Sequence, residues 1–401
     1  MAIFVGPTSG VTTTVIQGGG ATGVFVGLST TTTGRNAGVG TVTGAILYNE
    51  TTENIQFYTG TKWRQADSPF TASGGNVVDG QEPGNGYAYH TFTSSGSLTV
   101  TGGTKAGCQV LVVGGGGGGG GSNNSGSDGG GGGGAGGLAL GTGIPMEPGT
   151  YNITVGAGGA GAPGNANQNA QPGCANKNAP YGGKAGTNGG DSVFGASSPN
   201  GLKVTAKGGG GGGSGPNAGN GDCGGSGGGG GSGGQPTGDP GYASNQPTAN
   251  PGYSYTLNVY GNAGGPGPVT SEFLGGGGGG AGGTGAAGGN GNPGKGGSSQ
   301  PMPSDWSFPA IGIPAYNPYS GQYCAGGSGG RQTNVVTGSP VSPNGTGGGN
   351  GGASNADAGD GYDVGGGGGG GAGYAPGMPT PSAVNGGDGG NGMVIFRYPV
   401  S

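Results

Sequence analysis

Residues 108–121 read Cys108-Gln-Val-Leu-Val-Val-Gly-Gly-Gly-Gly-Gly-Gly-Gly-Gly121. A β-branched, strand-forming run passes without a turn into eight consecutive glycines. The junction recurs where Lys203-Val-Thr-Ala-Lys207 enters Gly208–Gly213, and in weaker form where Phe273-Leu274 enters Gly275–Gly280 and Asp363-Val364 enters Gly365–Gly371. Further glycine runs occupy 129–134 and 227–231. At about 3.1 Å per residue in an extended three-residue-per-turn helix, such runs span roughly 15–25 Å each. Similar lengths suit a side-by-side bundle.

Glycine supplies 123 of 401 residues, near the collagen fraction, but only 28 prolines are present and no sustained Gly-X-Y register can be read. Composition alone points to a disordered linker, because glycine loses the most backbone freedom on ordering and offers no side chain to bury. The repeated entry of strands into glycine argues the other way. A glycine run that orders must satisfy its amides, and packed polyglycine-II helices hydrogen-bonded to one another do so with no room for a Cβ. The expected fold is mainly β, with a β-framework enclosing a polyglycine-II bundle and essentially no α-helix.

Strand patterns mark the framework. In residues 1–66, Gly23–Leu28, Ala45–Tyr48, Ile55–Tyr58 and Lys62–Arg64 read as short strands of an N-terminal β-module, and 67–86 as a Gly/Pro/Asn connector. Within 87–401, strands are expected at Tyr89–Thr93, Ser97–Thr101, Cys108–Val113, Tyr151–Val155, Asp191–Phe194 and Met393–Tyr398.

Chemistry is sparse. With 11 basic and 16 acidic residues, the chain carries a net charge of −5 and no basic footprint for nucleic acid. No apolar stretch is long enough to span a membrane, and the N-terminus lacks a signal-peptide pattern. The glycine runs lack the Gly-Lys-Ser/Thr of a phosphate loop, so no nucleotide or other cofactor is expected. His90 sits in an alternating strand pattern without a nucleophile elbow, and the chain is read as not an enzyme. Cys108, Cys174, Cys223 and Cys324 are far apart and are read as isolated thiols, with one or two disulfides as the alternative. Asp357, Asp360 and Asp363 recur every third residue, which stacks them along one face of a three-per-turn helix. That ridge is either solvated or able to offer oxygens to a cation such as Ca²⁺.

Residues 242–323 concentrate aromatic side chains among Pro, Asn and Ser: Tyr242, Tyr253, Tyr255, Tyr260, Trp306, Phe308, Tyr316, Tyr319 and Tyr323. Rigid amphipathic rings in loops suit recognition, stacking on sugar faces while amides and hydroxyls meet polar groups. Their alternative use is packing over a bundle that has no hydrophobic side chains of its own.

The segment Ala45-Ile-Leu-Tyr-Asn-Glu-Thr-Thr-Glu-Asn-Ile-Gln-Phe-Tyr-Thr-Gly-Thr-Lys-Trp63 resembles the small β-modules of phage tail-fibre proteins, with Tyr58 and Trp63 as module core. The span from Phe92 through Val110-Leu-Val-Val-Gly-Gly to Gly392-Met-Val-Ile-Phe-Arg-Tyr398, with Gly-Asp-Ser-Val-Phe-Gly195 and Val204-Thr-Ala-Lys-Gly-Gly inside it, resembles the glycine-rich domain of phage tail fibres and receptor-binding adhesins. The resemblance implies a virion protein outside the cell. It would bind a host surface glycan or outer-membrane protein, contact other virion tail proteins and form a homo-oligomer, a trimer by that likeness. A self-assembling filament subunit or virion decoration without receptor binding is the alternative.

Overall fold

The computed structural model describes residues 28–37, 43–65, 69–122, 129–164, 185–214, 219–232, 255–268, 274–289, 292–301, 303, 305–306, 322–323, 348–349, 357–361, 366–373 and 384–400. The chain divides into two units, residues 1–72 with 100–105, and residues 73–99 with 106–401. Among the described residues it is mainly β, with a single α-helix of five residues.

In the first unit, β1 (Leu28–Thr30), β2 (Ile46–Asn49), β3 (Asn54–Tyr58) and β4 (Trp63–Gln65) lie in that order in one sheet. The expected strand at Gly23–Leu28 lies outside the described residues except at Leu28, where β1 begins. Helix α1 (Thr32–Asn36) starts at Thr31, whose hydroxyl accepts from the Gly34 N–H. Gly60 takes φ +101° in the turn before Trp63, and the Tyr58 and Trp63 rings lie 5.4 Å apart, the expected module closure. The buried face is partly polar: Asn49 Nδ2 and Arg35 Nη1 both donate to Gln56 Oε1, at 3.1 and 2.7 Å. Ile46, Tyr48, Ile55 and Phe57 face outward.

The second unit uses the remaining strands. These are β5 (Thr71–Ser73), β6 (Val78–Gln81), β7 (Tyr87–Phe92), β8 (Gly96–Thr101), β9 (Lys105–Val113), β10 (Leu138–Met146), β11 (Gly149–Thr154), β12 (Ser192–Phe194), β13 (Val204–Ala206), β14 (Thr256–Tyr260), β15 (Gln300–Pro301), β16 (Gln322–Tyr323) and β17 (Met393–Pro399), with β5, β8 and β9 each crossing the division between the units. One sheet runs β14-β10-β9-β17-β7-β6, and a second places β13, β12, β11 and β8 side by side. Strand β6 falls in the stretch read as a connector, and it pairs with β7. Alternation along the strands divides the first sheet's faces. Tyr89, Leu111, Val113, Leu138, Met393 and Ile395 gather in one core. Phe396 on the other face stacks on Phe194 of the second sheet at 5.9 Å, and Phe194 on Tyr151 at 5.7 Å. Aromatic rings thus hold the two sheets together as a sandwich.

The glycine tracts continue these strands. Tract 114–121 follows β9, 129–137 precedes β10, 385–392 precedes β17, 156–162 follows β11, 185–190 precedes β12 and 207–213 follows β13. Strands that neighbour each other in a sheet remain neighbours as tracts, as in Gly114 N–H to Gly137 O, Gly116 N–H to Gly390 O, Gly190 N–H to Ala157 O and Gly189 N–H to Gly209 O.

Hydrogen bonds in the central tract repeat every three residues. The amides of Gly114, Gly117 and Gly120 donate to Gly137, Gly134 and Gly131; those of Gly115 and Gly118 to Gly190 and Thr187; those of Gly116 and Gly119 to Gly390 and Gly387. The carbonyls obey the same rule. Those of Gly115 and Gly118 accept from Gly209 and Gly212, those of Gly116 and Gly119 from Gly159 and Ala162, and those of Gly117 and Gly120 from Gly369 and Ala372. Six tracts therefore ring the central one, three reached through its N–H groups and three through its C=O groups. Sandwiched sheets stand about 10 Å apart because side chains separate them. Where side chains stop, the layers close to backbone hydrogen-bonding distance. A Cβ added at any of Gly114 to Gly120 would lie closer than 3.0 Å to a backbone atom of a neighbouring tract.

The disulfide state departs from the expectation of isolated thiols. Cys223 is disulfide-bonded, because a chain that runs back and forth through a bundle brings residues distant in sequence together. Cys108 is a buried thiol in β9, and Cys174 and Cys324 lie outside the described residues.

Candidate functional site

Alternation along β17 places Arg397 on the same face as Met393 and Ile395, so the only charged residue of that strand is carried inward and is 1 % exposed. Its register opposite Tyr89 on β7 and Gln109 on β9 supplies the partners. Nη1 donates to the Tyr89 hydroxyl and to the Asp305 carbonyl, each at 3.0 Å. Nη2 donates to Gln109 Oε1 at 2.8 Å and to the Asp305 carboxylate, and Nε donates to Gln109 Oε1 at 3.2 Å. The guanidinium lies between two rings, 4.0 Å from the centre of Tyr87 and 4.2 Å from that of Trp306. All five N–H donors have acceptors and both faces have π partners, which is what burial of this cation requires. Asn85 adds bonds to the Tyr89 hydroxyl and the Asp305 carbonyl, at 2.7 and 2.9 Å.

The result is a latch. Asp305 and Trp306, deep within the aromatic-rich stretch of sequence, are fastened to β17 in the middle of its sheet. Trp306 is 4 % exposed and packs in the core edge-on to Tyr89 at 6.2 Å. Of the two uses open to these rings, Trp306 is placed in packing, where it covers Arg397. Tyr255 and Tyr260 are half-buried; Tyr260 ends β14, which pairs with β10 where a loop was expected, and it packs against the core. Tyr323 lies in β16, opposite Gln300 of β15. Tyr242, Tyr253, Phe308, Tyr316 and Tyr319 lie outside the described residues.

Asp357 and Asp360 are exposed but engaged. Asp357 Oδ1 accepts from the Asn385 N–H at 2.9 Å, and Asp360 Oδ1 from the Asp388 N–H at 2.8 Å. Asp363 lies outside the described residues, among which no group of three or more His, Cys, Asp or Glu could hold a metal ion. A groove of about 310 Å³ beside them is lined by Gly158, Ala160, Asp360, Asp388 and Asn391 among others.

His90 occupies the middle of β7, fully buried. Its Nδ1 carries the proton, because at 2.7 Å it meets the Gly74 carbonyl, which can only accept; Asp79 Oδ1 is 3.1 Å away. Nε2 is buried with no hydrogen-bond partner among the described residues, and the ring stacks against Tyr398 and lies beside Phe396. Burial pushes its pKa below the ordinary histidine value, against smaller opposing effects of Gly74 and Asp79. This is a neutral core residue, in keeping with its reading as an ordinary strand side chain.

Strands continuing into glycine tracts, from β8 to the last residues of β17, place most of the chain in one architecture. A family model described as a glycine-rich domain matches residues 93–399. The chain belongs to the glycine-rich domain family. No curated protein matches it significantly. The family boundary at 93 falls directly after β7, and its end at 399 coincides with the last residue of β17. Within this glycine-rich domain, sequence reading saw Asp305 only as an isolated acid and gave Arg397 no role. The signal available was a lone arginine in an otherwise apolar terminal strand, Met393-Val-Ile-Phe-Arg397.

Proposed function

We propose that this chain is an attachment protein of a bacteriophage tail fibre, binding a glycan or outer-membrane protein of the host surface, and that its tracts are polyglycine-II helices. Attachment under flow or thermal motion calls for a stiff support and a displayed aromatic, amide-rich surface. The three-residue hydrogen-bond repeat supports the first. The observation that bears on the second is the Arg397–Asp305–Trp306 latch, which fastens two residues of the aromatic-rich stretch 242–323 to the central strand of the sheet. A recognition segment anchored at its base loses less conformational entropy on binding than a free one. Assembly with other tail proteins and homo-oligomerisation belong to the same reading.

The test is competition. Recombinant full-length chain at saturating concentration is predicted to reduce adsorption of its phage to host cells, and glycan-depleted hosts are predicted to lose most of that competition if a glycan is the receptor. Undiminished adsorption at saturation would contradict receptor binding.

A further inference from the structure

At edges of the bundle where no described tract stands alongside, side chains supply the acceptors. In tract 207–213, Gly209 and Gly212 donate to carbonyls of the central tract, and Gly210 and Gly213 to Ser226 and Gly229. The third class of amide, Gly208 and Gly211, donates instead to Asp191 Oδ1 and Asn188 Oδ1, at 2.9 and 2.8 Å. In tract 156–164, Gly159 and Ala162 donate to the central tract, while Gly158, Gly161 and Gly164 donate to the side-chain oxygens of Asn391, Asp388 and Asn385, at 3.0, 2.7 and 2.8 Å. A third edge repeats the device where Asn385 and Asp388 themselves donate to Asp357 and Asp360.

The caps stand three residues apart because the amides they meet are three apart, and Asn and Asp are used interchangeably because only an acceptor oxygen is needed. Among the other described tract amides that acceptor is most often a carbonyl of another tract, with the hydroxyls of Ser192, Thr187 and Ser232 accepting from Gly156, Ala160 and Gly129. We propose that these Asn/Asp ladders are side-chain stops, and that the edge beneath them is an interaction surface fitted to a glycine tract from a second copy of this chain. It is the bundle's counterpart of the charged or irregular edges by which β-sheets avoid pairing with one another. The occupant is a second copy because the amides beneath the caps repeat every third residue, and this chain's own tracts present carbonyls at that same interval.

The experiment is sedimentation velocity on the full-length chain over a range of concentrations. The triple variant Asn385→Ala/Asp388→Ala/Asn391→Ala, confirmed folded by circular dichroism, is expected to self-associate about tenfold more tightly than the unaltered chain, whatever the latter's own stoichiometry. The acceptor-preserving Asp388→Asn is expected to behave as the unaltered chain, which separates loss of the cap from loss of charge. Should the triple variant not fold, Asp388→Ala alone is measured in the same way, with a smaller increase expected. A folded cap-less variant that associates no more than the unaltered chain overturns the proposal, as does association by Asp388→Asn as tight as that of Asp388→Ala.

Discussion

In the sandwich, Phe194 and Phe396 hold two sheets together ring on ring, 5.9 Å between centres. Where other strands of the same two sheets give way to glycine, the tracts meet directly, Gly209 N–H to Gly115 O and Gly159 N–H to Gly116 O, each at 2.8 Å. The first region is held by buried apolar area and forgives changes in backbone detail. The second has almost no side chain to bury, so its cohesion lies in the backbone donors and acceptors themselves, and each position is fixed by steric exclusion of a Cβ. Substitutions in the two regions are therefore expected to fail for opposite reasons, one through a missing atom and the other through an added one.

The largest effect is expected from removal. Phe396→Ala deletes the ring that joins the sheets and should cost about 3–5 kcal/mol, read as a lowered denaturant midpoint. Gly119→Ala adds one methyl where backbone atoms of Gly370 and Gly371 already stand within contact, and should cost about 3 kcal/mol. Gly96→Ala, whose added Cβ would meet only the Phe92 ring at 3.7 Å, should stay within about 0.5 kcal/mol and serves as the control. Equal tolerance of alanine at 119 and 96 would erase the distinction between the regions.

Arg397→Lys probes the latch that joins the aromatic region to the sandwich. A lysine keeps the charge but loses the planar fork and both stacking faces, so a loss of about 2 kcal/mol is expected. A red-shifted tryptophan emission should accompany it as Trp306 opens to water. Smaller still is the pH response of the sandwich. Because the folded state lowers the pKa of His90, protons bind the unfolded chain more readily as pH falls below about 6.5, the ordinary histidine value, and stability declines there. Above that range His90 is neutral in both states and contributes no slope. Replacing His90 by glutamine should flatten the decline seen in thermal midpoints between neutral and mildly acid pH.

Much of the framework was legible because alternation of apolar residues is a local signal. Strands at Tyr151–Val155, Asp191–Phe194 and Met393–Tyr398 agree with β11, β12 and β17 within a residue or two. Strand β10 was hidden by Gly141, Gly143 and Pro145, which read as loop, and β14 by its place in a polar, tyrosine-rich stretch. What Trp306 packs on could not be read locally, because the cation it covers lies at Arg397, which bonds Asp305 across 92 residues. No local pattern announces such a partner. The tracts themselves could be located in the sequence but not paired, since one run of glycine is like another; their neighbours are set by which strands they continue. The caps were legible after all, in the repeated Asn-Gly-Gly-Asp of 188–191 and 385–388, whose spacing of three is the spacing of the lattice.

The account turns on whether consecutive glycines are individually hydrogen-bonded, and amide hydrogen exchange followed by NMR on the full-length chain tests this most directly. All seven amides from Gly114 to Gly120 donate to a carbonyl, so protection is predicted to run unbroken through them, at the level of the Leu111–Val113 amides in β9. Exchange of those glycines at the rate of an unstructured chain, beside protected β9 amides, would contradict it.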